Sequence, residues 1–315
     1  MTESAVLSRA QGCLLGQLAG DALGGLVEFQ TPGQILLEYP EGVRELADGG
    51  TWNTMAGQPT DDSEMALALA RMLAEKGVYD ADAARAAYVR WIDSNPFDCG
   101  MTTAAGLRGH PNPESQANGA LMRVSPLGIF GHTAPARALA EWARRDARIT
   151  HPHPVCVEAN ALYARAVARA VHDGPAPLDL YGEILDWAGE LDGVPSLVSA
   201  VRAAADAPPA DYLSKQGWVL VALQNALWQL LHAPGLEEGV VDTVMRGGDT
   251  DTNAAICGAL LGAVHGRESV PGRWVDALLS CRPGRGNPRT CHPRPECYWP
   301  ADCLELAEKL ATAAG

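Results

Sequence analysis

The chain has 315 residues, enough for one large or two modest domains at roughly 100–200 residues each, and 24 Lys+Arg against 38 Asp+Glu give a formal net charge of -14. With 47% hydrophobic residues, 20% charged and a mean hydropathy of -0.06, it has the composition of an ordinary soluble globular protein, which excludes disordered, fibrous and membrane-embedded classes. The acidic balance argues against nucleic acid or anionic lipid as a partner and leaves proteins and small molecules. No apolar run reaches the roughly 20 residues that span a bilayer, and the opening MTESAVLSRAQG lacks the plan of a signal peptide, so a cytoplasmic location with reduced thiols is expected.

The predicted elements are helices. Val6, Ala10, Cys13, Leu14, Gln17 and Leu18 form one stripe of a helix over 5–19, and the small residues Gly12, Gly16, Ala19 and Gly20 let another helix approach closely. Gly24, Gly25, Pro32 and Gly33 then break the chain into a loop holding Glu28, and a second loop-rich stretch runs from Tyr39 to Thr60. Helical spacing returns over 62–76, 81–92, 134–148, 155–171, 217–231 and 254–265, with Gly or Pro between. Aromatic residues are only 6% of the chain and few stretches alternate as strands do, so an all-α fold is expected. A single domain is predicted, with its core over about 5–270, an irregular Pro/Arg/Cys-rich extension from 281, and a closing helix to 313.

Two loops deliver acids and hydroxyls to predicted helix starts. Gly57-Gln-Pro-Thr-Asp-Asp-Ser-Glu-Met carries Thr60, Asp61 and Asp62, and Arg246-Gly-Gly-Asp-Thr-Asp-Thr-Asn carries Asp249, Asp251 and Thr252. One such side chain suffices to cap a helix. Several together, each set behind glycine, suit hard cations that take oxygen ligands. Asp249 and Asp251 flank Thr250, so a turn must aim both at one centre, which has room for two ions. Mg²⁺ or Mn²⁺ fits an all-oxygen set better than zinc, because neither motif contains Cys or His. Asp98-Cys-Gly-Met-Thr-Thr and Ser115-Gln-Ala-Asn-Gly are each explained by a cap or an Asn-Gly turn, yet beside the acids they suggest a cleft whose amides meet phosphates. In the tail, Cys291, His292, Cys297 and Cys303 offer zinc-type donors without a CxxC pair.

Four segments agree in order with a known family. Gly16-Gln-Leu-Ala-Gly-Asp-Ala-Leu-Gly24 with Val27-Glu28-Phe29, Thr60-Asp61-Asp62-Ser63, Asn118-Gly119-Ala120 with Met122-Arg123, and Arg246 to Ala255 resemble the ADP-ribosylglycohydrolases, particularly their bacterial dinitrogenase-reductase-activating branch, over roughly 10–270. The resemblance implies a compact orthogonal helical bundle with two Mg²⁺ or Mn²⁺ ions at the base of an ADP-ribose cleft. It also implies hydrolysis that releases ADP-ribose from a modified protein, arginine-linked first. Serine-linked or O-acetyl ADP-ribose, or a catalytically silent ADP-ribose binder, are the alternatives.

Carried over by motif, metal ligands fall on Thr60, Asp61, Asp62, Asp249, Asp251 and Thr252, and catalytic roles on Asp61, Asp62, Asp98 and Glu28, the last in a mobile acidic loop. Substrate contacts fall on Asp98, Gly100, Thr102 and Thr103 at the ribose, on Ser115, Gln116, Ala117, Asn118 and Gly119 at the phosphates, and on His151. Two positions depart from the pattern: Ala117 stands where many relatives have glycine, and Gln116 where some present an aromatic ring to the nucleotide.

Overall fold

The structure, a computed structural model, describes residues 3–313. The first helices are α1 (Glu3–Gly24), α2 (Pro32–Glu38), α3 (Asp61–Lys76), α4 (Ala81–Asp93) and α5 (Met101–Leu107). They are followed by α6 (Ser125–Phe130), α7 (Ala136–Arg148), α8 (Pro154–Asp173), α9 (Pro177–Gly189) and α10 (Pro195–Ala203). The last are α11 (Val219–His232), α12 (Leu236–Met245), α13 (Thr250–His265), α14 (Gly272–Ser280) and α15 (Cys303–Ala313). No strand forms among the described residues, so the all-α expectation holds.

α1 and α13 are the central pair. Every residue from Ala10 to Gly24 and from Thr250 to Ala263 is buried, as befits helices whose apolar and small residues surround the axis. They run antiparallel with their backbones in contact. A Cβ on Gly12 would lie 2.4 Å from the Gly262 carbonyl oxygen, one on Gly16 2.1 Å from that of Gly258, and one on Gly20 2.1 Å from that of Ala254. Each glycine costs an isolated helix about 0.5–1 kcal/mol, which the dispersion contacts of two touching backbones offset. The same register brings Gly24 to the start of α13, where Thr250 Oγ1 donates to the Gly24 carbonyl at 2.7 Å. The loop that follows α1 is therefore delivered beside Asp249 and Asp251.

α8, α11 and α12 pack against α13, while α15 packs on α1, α3 and α6. Two local readings change. The loop after Gly24 contains α2, started by a capping box in which Thr31 Oγ1 accepts from Gln34 N at 3.4 Å and Thr31 N donates to Gln34 Oε1 at 2.8 Å, with Pro32 in the first turn. The tail does not assemble its zinc-type donors. Cys303 is buried in the core, the His292 ring nitrogen Nε2 lies 2.7 Å from the Trp52 carbonyl, and Asn53 donates to Cys291 Sγ at 3.0 Å. Arg294 instead turns inward as an anchor, its Nε 2.7 Å from Glu64 Oε1 and its Nη2 2.8 Å from Ser94 Oγ. None of the eight cysteines is paired, and no helix among the described residues is long and apolar enough to cross a membrane.

Candidate active site

The start of α3 is held from α1. Thr60 occupies the N-cap position but makes no capping bond with its own side chain. The wholly buried Asp21 takes that role, accepting from Thr60 N at 3.0 Å and from Ser63 N at 3.0 Å. Thr60 Oγ1 lies 2.8 Å from Asp21 Oδ1 and 3.0 Å from Asp62 Oδ2, so its one proton serves two carboxylates. Asp62 Oδ1 is buried with no partner at all. Capping by Asp21 thus leaves Asp61 and Asp62 unspent, and Asp61 Oδ2 accepts from Gly100 N at 3.1 Å.

The start of α13 follows the same logic. Asp249 is the N-cap residue without a capping bond, and its Oδ2 accepts from Asn118 Nδ2 at 2.7 Å. Glu28, Asp249 and Asp251 each present an oxygen, all within 4.8 Å of one another. This buried acidic cluster could hold a metal ion. The sequence grouped Thr60, Asp61 and Asp62 with the α13 acids, whereas the closest triad contains Glu28, because the α1–α13 register carries its loop there. Phe29 N donates to the Gly248 carbonyl at 2.7 Å and Gly248 N to that of Gln30 at 3.0 Å, which clamps this loop to the Gly-Gly-Asp turn.

Burial and crowding raise the affinity of these acids for protons. Burial, with Asp98 and Asp249 close by, pushes Glu28 up to about 8, and burial with Asp21 next pushes Asp98 up to about 6. Asp61, Asp62 and Asp251 stand well above the usual carboxylate range, chiefly through burial, then through Asp98, Asp61 and Glu28 respectively. No lysine or arginine is among the lining residues to balance them.

A cleft of about 400 Å³ opens on these acids, within the range of small-molecule sites. It is lined by Glu28, Asp61, Asp98, Gly100, Thr102, Thr103, Ala117, Asn118, Gly119, His151, Asp249, Asp251 and Thr252 of the predicted set. Thr60 and Asp62 lie behind it. Ser115 stands back as a brace, its Oγ 2.9 Å from Thr102 Oγ1. Gln116 is not among the lining residues: Trp218 Nε1 donates to its Oε1 at 3.0 Å and His153 Nε2 lies 3.3 Å from its Nε2. Paired backbone around Ala117 and Trp218, with Asn118 N donating to the Gly217 carbonyl at 2.9 Å, holds the phosphate-type loop in place.

Comparison with known proteins supplies a family. A family model described as ADP-ribosylglycohydrolase matches residues 2–314. The chain belongs to the ADP-ribosylglycohydrolase family. It is 33% identical to the ADP-ribosyl-[dinitrogen reductase] glycohydrolase of Rhodospirillum rubrum over 291 residues, covering 88% of this chain and 92% of that one. It is 27% identical to the ADP-ribosylarginine hydrolase Tri1 of Pseudomonas putida over 295 residues, covering 88% and 76% respectively. A solved structure, an "ADP-ribosylglycohydrolase-related protein complex", aligns over 99% of this chain and 100% of its own with a TM-score of 0.81 and 29% identity.

Within this family member, several site residues escaped the sequence reading. Asp21 sits inside the quoted Gly-Asp motif, but only the fold places it under α3. Trp52 Nε1 donates to Glu28 Oε2 at 2.6 Å, and the Trp52 carbonyl is the partner of His292, whose ring stacks on Phe97 at 4.7 Å beside Asp98. The tail therefore braces both loops that carry Glu28 and Asp98. Phe29 and Met101, 57% and 90% exposed, also line the cleft, and nothing in their spacing marks them.

Proposed function

We propose that this protein hydrolyses the bond joining ADP-ribose to a modified protein, arginine-linked in the first instance, and that the whole chain acts as one domain. The observation that carries this reading is the meeting of Glu28, Asp249 and Asp251 within 4.8 Å in a cleft that Asp61 and Asp98 also line. The arginine preference rests on the names of the R. rubrum and P. putida relatives.

The acids fit a divalent cation centre. The set is all oxygen, two helix-start acids are not used as caps, Asp62 Oδ1 has no partner, and no lysine or arginine lines the site. We assign Thr60, Asp61, Asp62, Asp249, Asp251 and Thr252 to two Mg²⁺ or Mn²⁺ ions, with Glu28 at their edge. Bound there, such cations orient ribose hydroxyls and lower the pKa of water.

Cleaving an N-glycosidic bond develops positive charge at the anomeric carbon and requires a proton acceptor for water and a proton donor for the leaving group. Asp98 lines the cleft beside Asp61 and is placed to accept the proton of water. Glu28, held by Trp52 at the mouth of the acidic cluster, is placed to supply a proton to the departing guanidine. Thr102, Thr103 and the Ala117–Gly119 backbone receive the ribose and diphosphate.

The test is release of free ADP-ribose from an arginine-ADP-ribosylated protein, with a serine-linked substrate in parallel, under Mg²⁺, Mn²⁺ and chelator. Cation-dependent release from arginine is expected. Release from serine alone moves the linkage, and binding of ADP-ribose without any release makes the protein a binder.

A further inference from the structure

Behind the phosphate-type loop lies a buried polar chain that the proposed reaction does not use. Arg123, Asp146, Thr150 and His151 are each wholly buried. Arg123 Nε donates to Asp146 Oδ2 at 3.1 Å and Nη2 to the Asp146 carbonyl at 3.0 Å, while Tyr88 donates to Asp146 Oδ1 at 2.9 Å and its ring lies 4.3 Å from the guanidinium. The planar donor fork, pinned on two sides, turns Nη1 to Thr150 Oγ1 at 2.9 Å and to the Gly119 carbonyl at 3.4 Å. Thr150 Oγ1 in turn lies 2.8 Å from His151 Nδ1.

The protons follow from the donor inventory. Guanidinium has only N–H groups to offer, so Thr150 Oγ1 accepts from Arg123, and its own buried proton, with Nδ1 as its one acceptor among the described residues, points there. A ring nitrogen that accepts carries no proton, and a neutral imidazole then carries its proton on the other nitrogen. The ring is neutral, since burial and the Arg123 charge push it down to about 3. We infer that Arg123 and Thr150 position His151 as the Nε2–H tautomer, so that it offers the cleft a hydrogen-bond donor and not a proton acceptor.

His151 lines the cleft, and its Nε2 is buried without a partner. A Cβ on Gly119 would stand 3.3 Å from Nε2 and 2.7 Å from Thr103 Oγ1, so only glycine lets these two side chains close on the backbone here. A phosphate or ribose oxygen that reaches the ring from the cleft accepts from His151 Nε2. Arg123 and Thr150 are positioning residues in this scheme. Only the identity of the ligand rests on the proposed function.

The experiment is two-bond ¹H–¹⁵N correlation on the full chain labelled with [¹⁵N]histidine at pH 7, the His151 signals being those lost in His151→Gln. A protonated-type Nε2 and a bare-type Nδ1 are expected. Thr150→Val removes the hydroxyl, which should turn this single tautomer into a mixture and weaken binding of ADP-ribose about tenfold, one hydrogen bond's worth, with Thr150→Ser restoring both. A protonated Nδ1 in the wild type, or ring signals unchanged in Thr150→Val, overturns the inference. Should Thr150→Val not fold, the wild-type signals decide alone. Failure of the wild type to bind ADP-ribose would count against the proposed function while the ring signals still judge the tautomer.

Discussion

Arg294 and Glu64 form an ion pair at 2.7 Å between two side chains that are each only 2% exposed. Glu64 sits in the first turn of α3, two residues after Asp62, and also accepts from Trp91 Nε1 at 2.8 Å. The irregular tail thus ends its course inside the molecule, against the helix whose first residues face the cleft.

Removing Arg294 leaves a buried carboxylate without its cation. Arg294→Met should cost about 3–5 kcal/mol in urea denaturation, and the double variant with Glu64→Gln should recover a large part of that loss. Equal stability of Arg294→Met and wild type would reject the anchoring role.

Gly16→Ala places a methyl 2.1 Å from the Gly258 carbonyl oxygen, against backbone that has no rotamer to move. Overpacking of this kind should destabilise by about 3 kcal/mol or more. Because the α1–α13 register sets the Glu28 loop against Asp251, activity should fall along with the melting temperature. Gly182→Ala, at a helix position with nothing within 4 Å, is the control that should melt at or slightly above the wild-type temperature, since alanine is the better helix former.

The site acids give stability a defined pH dependence in chelator. Glu28 rises from an ordinary 4.5 to about 8 and Asp98 from 3.8 to about 6, so between about 4 and 8 the folded state binds more protons than the unfolded one. Their contribution is complete below the unfolded values and is lost as pH rises through the folded ones. The melting temperature at pH 8 should lie about 3 °C or more below that at pH 5.5, and Mg²⁺ or Mn²⁺ should shrink the gap. A cation-free protein more stable at pH 8 would contradict the arrangement.

Asp251→Asn and Asp249→Asn each remove a carboxylate from the proposed cation set. Hydrolysis should drop on the order of 100-fold or more, and the Mg²⁺-induced rise in melting temperature should shrink or vanish. For Asp251→Asn, the chelated protein at pH 8 should lose no stability, since a neutral amide replaces a crowded buried acid. Full activity in both variants would remove these residues from the site.

The sequence by itself determined the helical class, the central role of small residues in α1, and the acids and hydroxyls at the starts of α3 and α13. Each of these is local: periodicity, side-chain size and motif spacing are properties of short segments. The tertiary structure alone decided which acids meet. Glu28 joins Asp249 and Asp251 because glycines on two helices far apart in sequence pack backbone to backbone in one register, and no local signal encodes that alignment. Likewise Asp21 caps a helix that begins 40 residues later, and Gln116 is held by Trp218 more than 100 residues on. The tail reads as an irregular extension, yet Arg294 and His292 brace the site because a buried carboxylate and a part-buried carbonyl await them in the N-terminal part of the chain. Such partnerships are chosen by the closing of the core, where an unpaired polar group is costly, and so become visible only after the chain has packed.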